Sequence, residues 1–143
     1  MKICSVLLFA ALTTLGFGQD LKSVVPQYKP GATLSYRVEF DGDPKFTAVS
    51  VSFSRQGPSS PNDQPGFAES LSLVHFVKVT AGVYSVDGQI PNNVRSGDYL
   101  LQEVDASIDQ ASKGYNSANM NVRIHVDNDA RFDFPPLKSV KPN

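Results

Sequence analysis

Apolar and polar residues alternate along much of this chain. In "ATLSYRVEF" (32–40), Leu34, Tyr36, Val38 and Phe40 share one side, and Thr33, Ser35, Arg37 and Glu39 share the other. A period of two over this length predicts a half-buried strand. "DGDP" follows, with Gly42 free to take positive φ and Pro44 without an N–H, so the chain turns there. The next strand, "KFTAVSVSF", sets Val49, Val51 and Phe53 against Ser50, Ser52 and Ser54. Phe46 is out of phase, which predicts a bulge or a change of exposed face near Thr47. Residues 55–66, "RQGPSSPNDQPG", have no period and form a long loop, which reads equally as a solvated connection between sheets and as the kind of segment that carries function on a rigid scaffold.

"LSLVHFVKV" (71–79) is apolar on both parities, which predicts a central strand covered on more than one side. Ala81-Gly82 marks a hairpin into "VYSVDGQI", and Asp87-Gly88 reads as a bulge because the flanking pieces are too short for another hairpin. In "SGDYLLQEVDASI" Tyr99 and Leu101 share one parity while Val104, Ala106 and Ile108 take the other, so a bulge is expected near Gln102 or Glu103. "DQASKGYNSAN" reads as a turn-rich loop, and "MNVRIHVD" returns with Met120, Val122, Ile124 and Val126 inward, closing a final hairpin. "FDFPPLKSVKPN" adds a short edge strand that Pro135-Pro136 ends.

The stretch "IPNNVRSGDYLLQEVDASI", a Pro- and Gly-bearing turn leading into G-x-Y and then apolar alternation, resembles the late strands of immunoglobulin-like and fibronectin type III-like modules of secreted bacterial proteins. The resemblance covers residues 83–126 and, by strand count, the chain from Gln19 on. It implies an all-β, immunoglobulin-like antiparallel β-sandwich of about seven strands. It also implies that Tyr99, after Gly97, packs as a corner with its hydroxyl bonded to the chain upstream.

Composition bears on the compartment. "MKICSVLLFAALTTLGFG" carries Lys2, an apolar run from Ile3 to Leu12, and small residues before Gln19. That is the pattern of a secretory signal peptide over 1–18, with cleavage between Gly18 and Gln19 and one domain over 19–143. The run is too short for a membrane-spanning helix, which needs about 20 apolar residues. Cys4 is the only cysteine and lies within the leader, so no disulfide holds the exported domain. Without Lys2, 12 basic residues face 14 acidic ones, and the basic residues are scattered. No basic patch marks a nucleic-acid binder and no basic amphipathic helix marks a membrane binder.

The side chains open to chemistry are few. Asp105 and Asp109, with Asp127 and Asp129 in "VDNDARFDFP", would suit calcium if two acidic loops met at one end of a sandwich. Turn chemistry explains acids at the same positions. His125 and Asp127 form an H-x-D pair, short of the three or four ligands a metal site commonly uses, and His75 shares the parity of Leu71, Leu73 and Val77, which makes it a core or interface histidine. No G-x-S-x-G, C-x-x-C, H-E-x-x-H or phosphate-loop spacing occurs, and there is no Trp for stacking sugars. The sequence therefore implies a non-enzymatic protein without cofactor, metal or catalytic residues. It is expected to be secreted or periplasmic and soluble after cleavage, with another protein as its partner. The alternative is a small ligand or calcium carrier using the acidic loops.

Overall fold

The computed structural model describes residues 24–58 and 66–142. The leader, the Gly18–Gln19 site and residues 59–65 of the long loop lie outside them. Nine strands occur among the described residues: β1 (Gln27–Tyr28), β2 (Thr33–Glu39), β3 (Ala48–Arg55), β4 (Ser70–Leu73), β5 (His75–Thr80), β6 (Val83–Gln89), β7 (Gly97–Ile108), β8 (Ala111–Asn116) and β9 (Arg123–Val126). A single 3-10 turn covers Ala118–Met120, and the described residues contain no α-helix. The protein is all-β, with two sheets around one core. One sheet runs β1-β9-β7-β3-β4, with β8 also on β7, and the other runs β2-β6-β5.

Alternation puts one parity of each strand into the core. Val49, Val51 and Phe53 of β3 and Leu71 and Leu73 of β4 meet Leu34 and Val38 of β2 and Tyr84 and Val86 of β6. Each such aliphatic side chain contributes about 1.5–3 kcal/mol by leaving water. The long strand β7 keeps both its halves inward through a bulge. Ser52 faces Glu103 but Phe53 faces Leu101, so Gln102 is the extra residue, as the change of parity predicts. The same bulge lies where β8 gives way to β9 along that edge. There Ser117 N–H donates to Gln102 O and Leu101 N–H donates to Val122 O, so the ladder on β7 continues across the junction.

Several expectations are corrected. The run 71–79 is two strands: β4 pairs with β3 in one sheet, and β5 pairs with β6 in the other. Both parities are apolar because the chain changes sheets at the exposed Val74. β5 is then an edge strand with Val77 and Val79 exposed. Gly88 is no bulge, for β2 and β6 stay in register through Leu34 and Gly88. Its missing side chain serves a close approach, since a Cβ there would lie 3.3 Å from Leu73 Cα. The irregularity lies instead at Lys78 to Thr80 in β5. Phe46 precedes β3, which begins at Ala48, so its phase reflects a turn.

"ASKGYN" is strand β8, held in antiparallel register on β7 through a tight turn in which Asp109 takes φ 54°. With Tyr115 its one large inward-packing residue, it has no periodic signal to read. Of the residues expected inward in the last strand, Ile124 and Val126 are buried, whereas Met120 sits in the 3-10 turn and is part-exposed. The segment after Val126 forms no strand among the described residues.

Candidate functional site

Both ends of the molecule are closed around a buried tyrosine. At one end Tyr99, fully buried at the start of β7, donates its hydroxyl hydrogen bond to Arg95 O at 2.6 Å, four residues upstream. Gly97 just before it takes φ 142°, outside the range other residues favour. Burial pushes the Tyr99 phenol up to about 12. The loops at this end are tied together by polar bonds. Ser96 Oγ accepts from Asn128 N–H and donates to Asn128 O, each at 2.7 Å, and Asn128 Nδ2 donates to Val94 O and Asn92 O. Arg55 Nε donates to Ser96 O. Asn128, between the two acids singled out from the sequence, does the structural work there.

At the opposite end Tyr84 of β6 is equally buried and donates to Pro44 O at 2.5 Å. Its surroundings are aromatic. Phe46 and Phe40 have ring centroids 4.6 Å apart, and Phe40 also packs edge-on against Tyr115 at 5.6 Å. Lys78 bonds Asp43 beside them; the hydrogen bond from Lys78 is the main cause holding the Asp43 carboxyl below the usual range, and the same bond raises Lys78.

Between this aromatic end and the middle of the molecule, the two sheets part along one seam. A groove of about 170 Å³ opens there, walled by Tyr36 and Val38 of β2 and by Phe40 just after it on one side, and by Leu101, Tyr115, Met120 and Val122 on the other. Its lining is apolar, with Arg37, Glu39 and Asn116 among the polar residues that border it. Burial, and secondarily Tyr28, push the Tyr36 phenol up to about 12, so this wall is neutral at ordinary pH. β2 is the outermost strand of its sheet. The groove therefore lies beside a strand edge that pairs with no other strand among the described residues.

The residues singled out from the sequence do not converge. Asp105 lies on the outer face of β7 opposite Ser50, and Asp109 forms the β7–β8 turn at the Tyr84 end. Asp127 and Asp129 flank Asn128 at the Tyr99 end, so the two acidic loops occupy opposite ends of β7 rather than one. Among the described residues no three His, Cys, Asp or Glu side chains group as metal ligands would. His75 is a surface residue, not a core one, and pairs across strands with Asp87 at 2.8 Å. His125 pairs with Asp98 of β7 at 2.8 Å, not with Asp127.

On the outer face of the larger sheet short hydroxyls cluster on β3 and β4, Ser50, Ser52 and Ser54 beside Ser70 and Ser72, with Ser107 and Ser112 on β7 and β8, while Glu103 and Asp105 of β7 flank them. Ser52 and Ser72 hydroxyls lie 3.1 Å apart, and those of Ser107 and Ser112 lie 2.7 Å apart.

Sequence reasoning missed the groove and Tyr84. The groove is a gap between residues distant in the chain, and Tyr84 finds its acceptor 40 residues upstream, so neither leaves a local pattern. No family model, curated protein or solved structure matches the chain.

Proposed function

We propose that this chain is an exported, immunoglobulin-like β-sandwich that works without catalysis as an interaction module, at the cell surface or in the periplasm. The strand order supports the immunoglobulin-like reading. β9-β7-β3-β4 against β2-β6-β5, with β1 parallel on β9, follows the G-F-C-C′ and B-E-D sheets of that fold, and the Tyr99 bond sits where such folds place a tyrosine corner. The leader pattern over 1–18 supports export. Mass spectrometry of the exported chain should give an amino terminus at Gln19; a retained leader would remove that support.

The observation that carries the interaction role is the apolar groove beside the edge of β2, which pairs with no other strand among the described residues. Exposed strand edges recruit extended segments by backbone pairing, and an adjacent pocket adds side-chain selectivity. A second reading, a carrier of a small apolar ligand, is favoured by the size of the groove, since an apolar cavity of about 150 Å³ holds benzene. A photo-crosslinking residue at Met120 in the exported protein distinguishes them. A discrete product of higher mass supports the interaction role. No protein product from Met120, with none from Val79 on the opposite sheet edge, would refute it and leave the small-ligand reading.

A further inference from the structure

Beyond the leader pattern the chain carries a single sulfur atom. Of the two methionines Met1 lies in that pattern, as does Cys4, the one cysteine, which leaves Met120. This sulfur stands in the wall of the groove, opposite Tyr36 and Val38 and beside Leu101 and Val122. Met120 is 37% exposed, so part of its side chain meets solvent while the rest lines an apolar surface.

The position of Met120 is set by its backbone. It ends the 3-10 turn, its N–H donates to Ser117 O at 3.0 Å, and the next N–H, of Asn121, donates to Ala118 O at 3.2 Å. Its side chain belongs neither to the buried core nor to the partly buried apolar residues packed against that core. A change at its tip therefore alters the groove and leaves the core and the ladders in place.

We propose that Met120 is an oxidation site through which a peroxide controls what the groove admits. The sulfide gives a lone pair to one oxygen of hydrogen peroxide. An S–O bond forms, the O–O bond breaks, and after proton transfer the second oxygen leaves as water. Sulfur loses two electrons and the peroxide gains them. The product, methionine sulfoxide, puts a polar hydrogen-bond acceptor where a polarisable apolar tip had been. That oxygen holds water, and stripping the water to seat an apolar guest is costly. The oxidised groove therefore stays wet and excludes a guest that the sulfide form admits. Methionine sulfoxide reductases, one for each epimer at sulfur, reverse the change. The proposal rests on the groove as a binding site and on export, which takes the chain to an oxidising compartment with no thiol of its own to react first.

The test uses the exported chain, isotope-labelled at the methionine methyl carbon, with benzene as the probe. One methyl signal is expected, and benzene should shift it, which places the probe beside Met120. Hydrogen peroxide should add one oxygen at Met120 by mass spectrometry, weaken benzene binding by about tenfold or more, and leave the denaturant midpoint near the parent's. The two reductases together should restore binding. Met120→Leu keeps an apolar wall of similar size and should bind benzene equally before and after peroxide, as read by saturation transfer. A Met120 that resists peroxide while free methionine in the same solution is oxidised would overturn the proposal. So would an oxidised chain that binds benzene like the parent, or a Met120→Leu chain that loses it as well. Benzene that never shifts the methyl signal would also overturn it, and the Met120 crosslink then decides the interaction role separately.

Discussion

The Tyr99 end and the Tyr84 end solve the same problem by different means. Each must close a two-sheet core where strands turn, and each buries a tyrosine whose hydroxyl reaches a backbone carbonyl. At the Tyr99 end the surrounding loops are stitched by Ser96, Asn128 and Arg55 to named backbone atoms. At the Tyr84 end the neighbours are the rings of Phe40, Phe46 and Phe76. Hydrogen bonds have fixed partners, so the stitched end has one geometry. Ring contacts are less directional, and the seam that runs from the aromatic end is the one that stands open.

The largest expected effect tests whether the two tyrosines are equivalent. Tyr99→Ala and Tyr84→Ala should each cost about 3–5 kcal/mol, as large-to-small core truncations do, measured by denaturant unfolding. A midpoint near the parent's for either would show that its end is closed by something else.

Glycines sharpen the contrast next. Gly82→Ala puts a Cβ 2.4 Å from Phe40 O and Gly42 O at φ 70°, where backbone must move. Gly97→Ala meets the Arg55 side chain at 2.8 Å, at φ 142°. Each carries about 1–3 kcal/mol of conformational strain, and Gly82→Ala should unfold at the lower denaturant concentration of the two. The reverse order would place the more rigid backbone at the Tyr99 end.

Removing only the hydroxyls asks how much the bonds themselves contribute. Tyr99→Phe and Tyr84→Phe should each lose about 1 kcal/mol, with the stranded carbonyl adding to it. A further loss in Ser96→Ala combined with Tyr99→Phe that exceeds the sum of the single changes would show the stitched loops acting as a unit.

Alkali should act through Tyr99 at one end and Tyr36 in the groove wall. Both phenols ionise near 10 when unfolded and at about 12 when folded. The folded state thus holds protons that the unfolded state has released. Its advantage is complete below about pH 10 and is lost as pH rises from there toward 12. Unfolding midpoints should fall over that window, and less so in Tyr36→Phe; a flat profile would mean both phenols are as solvated as in the unfolded chain. Smallest of all is the effect of EDTA. The acidic loops lie at opposite ends of β7, so the melting temperature should not change. A fall that calcium restores would require a site the present geometry does not assemble.

Strands β2, β3, β6 and β7 were legible because each keeps one parity of apolar residues against a single core, and even the bulge at Gln102 showed itself as a change of parity. Tyr99 was legible through the G-x-Y pattern that carries the resemblance, and its acceptor, Arg95 O, lies four residues upstream. The division of 71–79 was not, since a change of sheet at Val74 gives the same both-sided apolar pattern as a covered central strand. β8 was hidden because a strand on an exposed edge needs few apolar residues, here Tyr115 alone packing inward, and otherwise only a partner ladder and an Asp able to hold φ 54° at Asp109. The groove was beyond reach, for it depends on Phe40 and Met120 meeting across 80 residues.

The serine face bears on how the molecule behaves in a crowded compartment. Short hydroxyls that bond to one another across β3 and β4 give that part of the face no broad apolar area to dry out, and the carboxylates of Glu103 and Asp105 border it. A molecule with one such non-adhesive side makes its contacts elsewhere, so an encounter is productive in few orientations. In that sense the plainest part of the surface selects where the seam is used.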